Sequence, residues 1–151
     1  MPRFNSTDEL LDYAIAREAE AFAFYASLAE IVESANLREM FSDFAHEELG
    51  HKAKLTIMKK EGRFFRSGRR ITELNIAENL APVKPVPEMG YAEALRLAMQ
   101  REKDAYRLYT NLAGMVQEDD IRATLLLLAR EEANHKLRFE IEYEDFVTSE
   151  N

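Results

Sequence analysis

Cysteine is absent from this chain, and its absence excludes disulfides, iron–sulfur clusters, zinc knuckles and thiol catalysis. Glycine and proline are scarce, five and four in 151 residues, too few for the turn-rich connectivity of an all-β protein. No stretch approaches the roughly 18 uncharged apolar residues of a membrane-spanning helix. The opening run Met1-Pro2-Arg3-Phe4-Asn5-Ser6 lacks the apolar centre of a secretory signal. The expectation is a cytoplasmic protein with no membrane partner. Basic residues are the minority: 20 Lys and Arg against 28 Asp and Glu leave a formal charge of −8. That balance favours solubility and argues against a nucleic-acid surface. A phosphate-binding glycine loop and a nucleophile paired with a base are missing as well.

What is present is a repeat. Glu18, Glu48 and His51 recur as Glu102, Glu132 and His135, each 84 positions later. The same shift carries Ala14, Arg17, Ala21, Tyr25, Leu28, Ala29, Ala45, Glu47 and Lys52 onto Ala98, Arg101, Ala105, Tyr109, Leu112, Ala113, Ala129, Glu131 and Lys136. A chain of this length suits one domain with a substantial core. The repeat divides that domain, residues 1–151, into two helical hairpins at about 7–61 and 89–147.

Ser6 with Glu9 reads as a capping box, opening a helix to about Glu33 with the stripe Leu11, Ile15, Glu18, Phe22, Tyr25, Ala29 and Val32. Asn36 with Glu39 is a second box, opening a helix from Leu37 to Gly62, a C′ glycine. Its stripe is Leu37, Phe41, Phe44, Glu48, His51, Leu55 and Met58. A third helix runs from near Met89 to near Gln117, with Leu95, Met99, Glu102, Tyr106, Tyr109, Ala113 and Val116 inward. The fourth opens at Asp119 or Asp120, acidic residues suited to a helix N-terminus. It continues through Ile121, Leu125, Leu128, Glu132, His135 and Phe139 and frays before Val147.

The links around Ser34–Asn36 and Glu118–Asp119 are short, so each hairpin is antiparallel. Arg63 to Glu88 is long, with a short helix expected around Thr72–Asn79. Helices two and three therefore run the same way, joined by a crossover. That predicts an all-α, ferritin-like four-helix bundle.

The Glu and His residues interrupt each apolar stripe at mid-height. Burying one isolated carboxylate is costly, and four together repel one another. Two divalent cations balance four Glu and leave two neutral His as further ligands. Residues i and i+3 lie about 60° apart around a helix and about 4.5 Å along it, so Glu48 and His51 reach one centre, as do Glu132 and His135. The arrangement expected makes Glu48 and Glu132 bridging ligands and Glu18 and Glu102 terminal ones, with one His per metal. Glu and His suit Fe, Mn and, less specifically, Zn.

At these residues the chain resembles the rubrerythrin-like branch of the ferritin-like superfamily. The motifs are Glu18-x-x-Ala21-x-x-Phe24-Tyr25-x-x-Leu28-Ala29, Glu47-Glu48-x-x-His51, Glu102-x-x-Ala105-x-x-Leu108-Tyr109-x-x-Leu112-Ala113 and Glu131-Glu132-x-x-His135. They touch all four helices and leave the crossover unmatched. The resemblance implies a non-haem di-iron centre reacting with O2 or hydrogen peroxide, and a homodimer. Two departures stand out. The four-cysteine iron site of rubrerythrin proper is missing, and Ala105 stands where that family has a further ligand Glu. Electrons are thus expected from a separate donor protein.

Tyr25 and Tyr109 lie one stripe step from Glu18 and Glu102, which leaves open aromatic core packing or a hydrogen-bonding or electron-relay role. Glu47 and Glu131, about 100° from the bridging positions, face solvent or sit behind the ligands. His46 is expected on the surface. The basic run Lys59 to Arg70, with Phe64 and Phe65, is read as a solvated loop whose aromatics cover the bundle or a second subunit. Its other reading is docking of an acidic electron-transfer partner or contact with nucleic acid, for which no binding motif accompanies it. The function expected is a di-iron oxidoreductase of peroxide-reductase type. Its alternatives are a ferroxidase that stores or passes on iron, and a metal-free adaptor bundle.

Overall fold

The computed structural model describes residues 7–61 and 90–150, as four helices. They are α1 (Thr7–Ile31), α2 (Ala35–Glu61), α3 (Tyr91–Ala113) and α4 (Asp119–Glu150). The expected caps at Ser6 and Gly62, the helix around Thr72–Asn79 and the basic run beyond Glu61 lie outside the described residues. Among the described residues, no helix is long and apolar enough to cross a membrane.

Cross-helix pairs fix the directions. Lys59 near the end of α2 meets Asp12 near the start of α1, and Tyr91 at the start of α3 meets Phe146 near the end of α4. Both hairpins are antiparallel. Arg138 of α4 donates to Met40 of α2, while His51 of α2 meets Glu131 of α4, so α2 and α4 are also antiparallel neighbours. Accordingly α2 and α3 run in one direction and α1 and α4 in the other. The end of α2 and the start of α3 fall at opposite ends of the bundle, the ferritin-like connectivity.

Local chemistry sets the helix ends, in places otherwise than the sequence pattern suggested. Ser34, not Asn36, caps α2: its hydroxyl accepts from the Leu37 backbone N–H at 3.3 Å. The third helix starts at Tyr91 and stops at Ala113, short of Gln117, with Gly114 as its C-cap. Arg122 reaches back to donate to the Val116 carbonyl at 2.6 Å and the Ala113 carbonyl at 3.4 Å. The bond to Ala113 satisfies a carbonyl that the helix end leaves without a partner, and the bond to Val116 ties down the link that follows. Past Val147, α4 continues to Glu150.

Apolar side chains gather into two clusters, one at each end. One holds Leu10, Leu55, Leu112, Leu125 and Leu128; the other holds Phe24, Phe41, Leu28, Leu95 and Phe139. Each fully buried Leu or Phe contributes about 1.5–3 kcal/mol. Tyr106, read as inward from its step of four after Glu102, is instead 44% exposed. Ala105, the step of three, packs against the core in its place.

Candidate metal centre

Between the two apolar clusters lie Glu18, Glu48, His51, Glu102, Glu132 and His135, none more than 3% exposed. Among the described residues they are the buried polar and charged side chains. Their convergence follows from the antiparallel pairing, which brings the middles of all four helices to one height.

The six form two overlapping sets. Glu18, Glu48, His51 and Glu132 each offer one ligand atom within 4.8 Å of the others, and so do Glu48, Glu102, Glu132 and His135. Glu48 and Glu132 belong to both sets, the positions of bridging carboxylates. His51 Nδ1 lies 3.1 Å from Glu132, 3.3 Å from Glu48 and 3.6 Å from Glu18. His135 Nδ1 lies 3.6 Å from Glu102, 3.7 Å from Glu48 and 3.8 Å from Glu132.

One buried atom of every member has no hydrogen-bond partner: an Oε on each Glu and Nδ1 on each His. Orphaned buried polar atoms are rare and costly. Six of them facing one point make a donor set of four carboxylates and two imidazoles, which fits two divalent cations.

Without a cation the centre is electrostatically strained. Burial, followed by the charges of Glu18 and Glu102, pushes the Glu48 carboxyl up to about 8. Burial and the carboxylates of Glu102, Glu48 and Glu18 hold Glu132 well above the usual range. For His51 burial works the other way, but contact with Glu18 and Glu48 and their charge outweigh it and raise the imidazole to about 11. His135, likewise opposed by burial, is raised to about 9, chiefly by Glu102. Protons take up the negative charge that cations would otherwise balance.

Behind the ligands lies a layer of supporting side chains. Tyr25 on α1 donates from its hydroxyl to Glu102 on α3, and Tyr109 on α3 donates to Glu18 on α1. Both phenols are held well above 10, by burial first and then by the carboxylates, so they remain donors. Of the two readings left open, hydrogen bonding is therefore present in the geometry. Glu131 sits 2.5 Å from His51 Nε2, and Glu47 sits 2.6 Å from His135 Nε2. His46 is exposed, as expected, with Nδ1 2.9 Å from the Ser42 carbonyl of its own helix.

Two features escaped the sequence pattern. Phe44 stacks on the His135 ring at 4.0 Å between centroids. Its place in the repeat is Leu128, and that departure from the 84-residue match was the available signal. The second feature is a cavity of about 40 Å³ against the centre, between α1 and α3. Ala21 and Ala105 line it, with Arg17 and Arg101 beside them.

Residues 9–143 match the Rubrerythrin family. A hypothetical protein from Pyrococcus furiosus is 31% identical, with a TM-score of 0.78 over 95% of this chain and 91% of that one. A manganese catalase from Anabaena shares the fold, with a TM-score of 0.69 at 15% identity over 96% of this chain and 75% of its own. No curated protein matches the chain. A match that reaches all four helices and takes in the whole buried Glu–His cluster shows that this chain belongs to the rubrerythrin family.

Proposed function

We propose that the protein is a dinuclear carboxylate oxidoreductase that reduces hydrogen peroxide or activates O2. The observation that carries this reading is the set of six buried donor atoms without partners, drawn from four helices toward one point. Glu18, Glu48, His51 and Glu132 would hold one ion, and Glu102, His135 and the same two bridging carboxylates the other. A pair of redox-active ions held there, iron or alternatively manganese, would supply two electrons to the oxidant.

The chain's own residues do the rest. Tyr25 and Tyr109 hold the terminal carboxylates by donating to Glu102 and Glu18, which leaves one oxygen of each facing inward. The apolar clusters above and below keep bulk water from the ends. The small side chains of Ala21 and Ala105 leave room beside the centre on the α1/α3 side, about the size of a molecule or two of water. Hydrogen peroxide and O2 are small enough for that opening. A carboxylate at position 105 would fill it, so the Ala there favours access over an additional ligand. With no cysteine in the chain, electrons come from a separate donor protein, and a homodimer is the assembly proposed.

The test is metal content and reactivity together. Protein from iron-replete medium should carry two ions per chain, with anomalous scattering between Glu48 and Glu132. Fewer than two ions, or scattering elsewhere, sinks the reading. Loading with ions at about 1,000 times Kd should stabilise the fold by about 4 kcal/mol for each ion bound, or about 8–16 °C in Tm per ion. Stopped-flow oxidation of the reduced protein should be faster with H2O2 than with O2. The reverse order would make the protein a ferroxidase.

A further inference from the structure

The ligand sets are equal by sequence and unequal by surroundings. On the α2 side, His51 Nε2 meets Glu131 of α4, whose side chain is 31% exposed. On the α4 side, His135 Nε2 meets Glu47 of α2, which is 48% exposed. A carboxylate hydrogen bond weakens as water competes for the acceptor. The rings also have different neighbours: Phe44 stacks on His135, whereas the matching position on the His51 side is the buried aliphatic Leu128.

We propose that the two metal positions are inequivalent, with the His51 position the tighter, because Glu131 fixes that imidazole more firmly than Glu47 fixes its counterpart. The inference rests on the dinuclear reading above. Each imidazole turns Nδ1 to the centre, so with a cation held there its remaining proton would sit on Nε2 and donate outward to Glu131 or Glu47. A carboxylate in that place fixes the tautomer and the ring plane and makes Nδ1 a better donor. The support is crossed: α4 orients the ligand on α2, and α2 orients the ligand on α4. Neither Glu-x-x-His motif is complete without the opposite hairpin. Glu47 and Glu131 are therefore positioning residues, and their similar sequence contexts conceal different strengths.

Zinc is the probe, since it is diamagnetic and binds the same donors. Two stepwise affinities would come from titration of the metal-free protein, and the imidazole Nε2–H signals from ¹⁵N-histidine NMR of the zinc-loaded form. Glu131→Gln should lower one affinity by about 10- to 100-fold and move the His51 signal alone. Glu47→Gln should move the His135 signal alone and cost less affinity. Melting of both metal-free variants near the parent's Tm confirms that they fold. Unchanged affinities and signals in both variants overturn the proposal, as does a larger loss from Glu47→Gln or a His135 shift from Glu131→Gln. A parent protein that binds fewer than two zinc ions overturns the dinuclear reading itself, and this inference with it.

Discussion

The two ends of the bundle solve the same packing problem with different side chains. At one end Phe139 stacks with Phe41 at 5.9 Å, meets Phe44 edge-on at 5.3 Å and lies 5.4 Å from Tyr25. Shifted by 84 positions, Phe24, Phe41 and Phe44 become Leu108, Leu125 and Leu128, and Phe139 corresponds to Leu55. All four of those leucines belong to the opposite cluster. Because the two hairpins are related end for end, aromatics from the first hairpin and from α4 meet at one end, and leucines meet at the other. Several large volume-filling residues differ between the halves, while the six buried Glu and His residues are the same. Apolar volume can be supplied by several side chains, whereas a donor set of fixed charge and reach has few substitutes.

The sharpest way to break this comparison is to hollow out each end at matched positions. Phe139→Ala should cost about 3–5 kcal/mol and Leu55→Ala about 2–5 kcal/mol, with the aromatic end losing more because three rings, Tyr25, Phe41 and Phe44, share Phe139 as a neighbour. Urea unfolding of the metal-free protein measures both. A larger loss at Leu55 would contradict the idea that the aromatic end is the more interdependent.

Next in size is the response of the centre, which both ends enclose, to pH. An acid held in the fold at about 8 instead of 4.5 favours the folded state when protonated. Glu48 thus contributes fully below pH about 4.5, and its contribution is lost as pH climbs toward about 8. His51, raised to about 11, acts with the same sign: its contribution is whole below about 6.5 and fades above. Metal-free protein should lose stability between pH 5 and 8, and Glu48→Gln should flatten that slope. A metal-free unfolding midpoint that rises with pH would contradict the charge balance described for the centre. Bound metal should reverse the trend, since cations displace those protons.

The smallest effect tests the link between packing and ligation. Phe44→Leu makes the surroundings of His135 resemble those of His51. It should change the weaker zinc affinity by less than about tenfold, with the His51 position unmoved. An equal change at both positions would show that the ring acts through the whole core and not on the imidazole it covers.

Much of this was legible in advance. The alternating steps of three and four gave the helices, and the short and long links gave their directions. Burial cost identified the six mid-helix polar residues as candidate ligands. Helix ends were less legible, because they depend on single hydrogen bonds such as that from Leu37 to Ser34 or the reach of Arg122. Tyr106 was misplaced because a step of three and a step of four differ by about 100°, and only the neighbouring helix decides which of them faces inward.

Residue order by itself determined which groups carry charge and how far apart they stand along each helix, since rise and turn are properties of the backbone alone. Tertiary structure decided which tyrosine serves which carboxylate, which glutamate supports which imidazole, and which end became aromatic. Those pairings depend on how helices slide and rotate against one another, a relation set by packing across the bundle and absent from the period along any one strand of sequence.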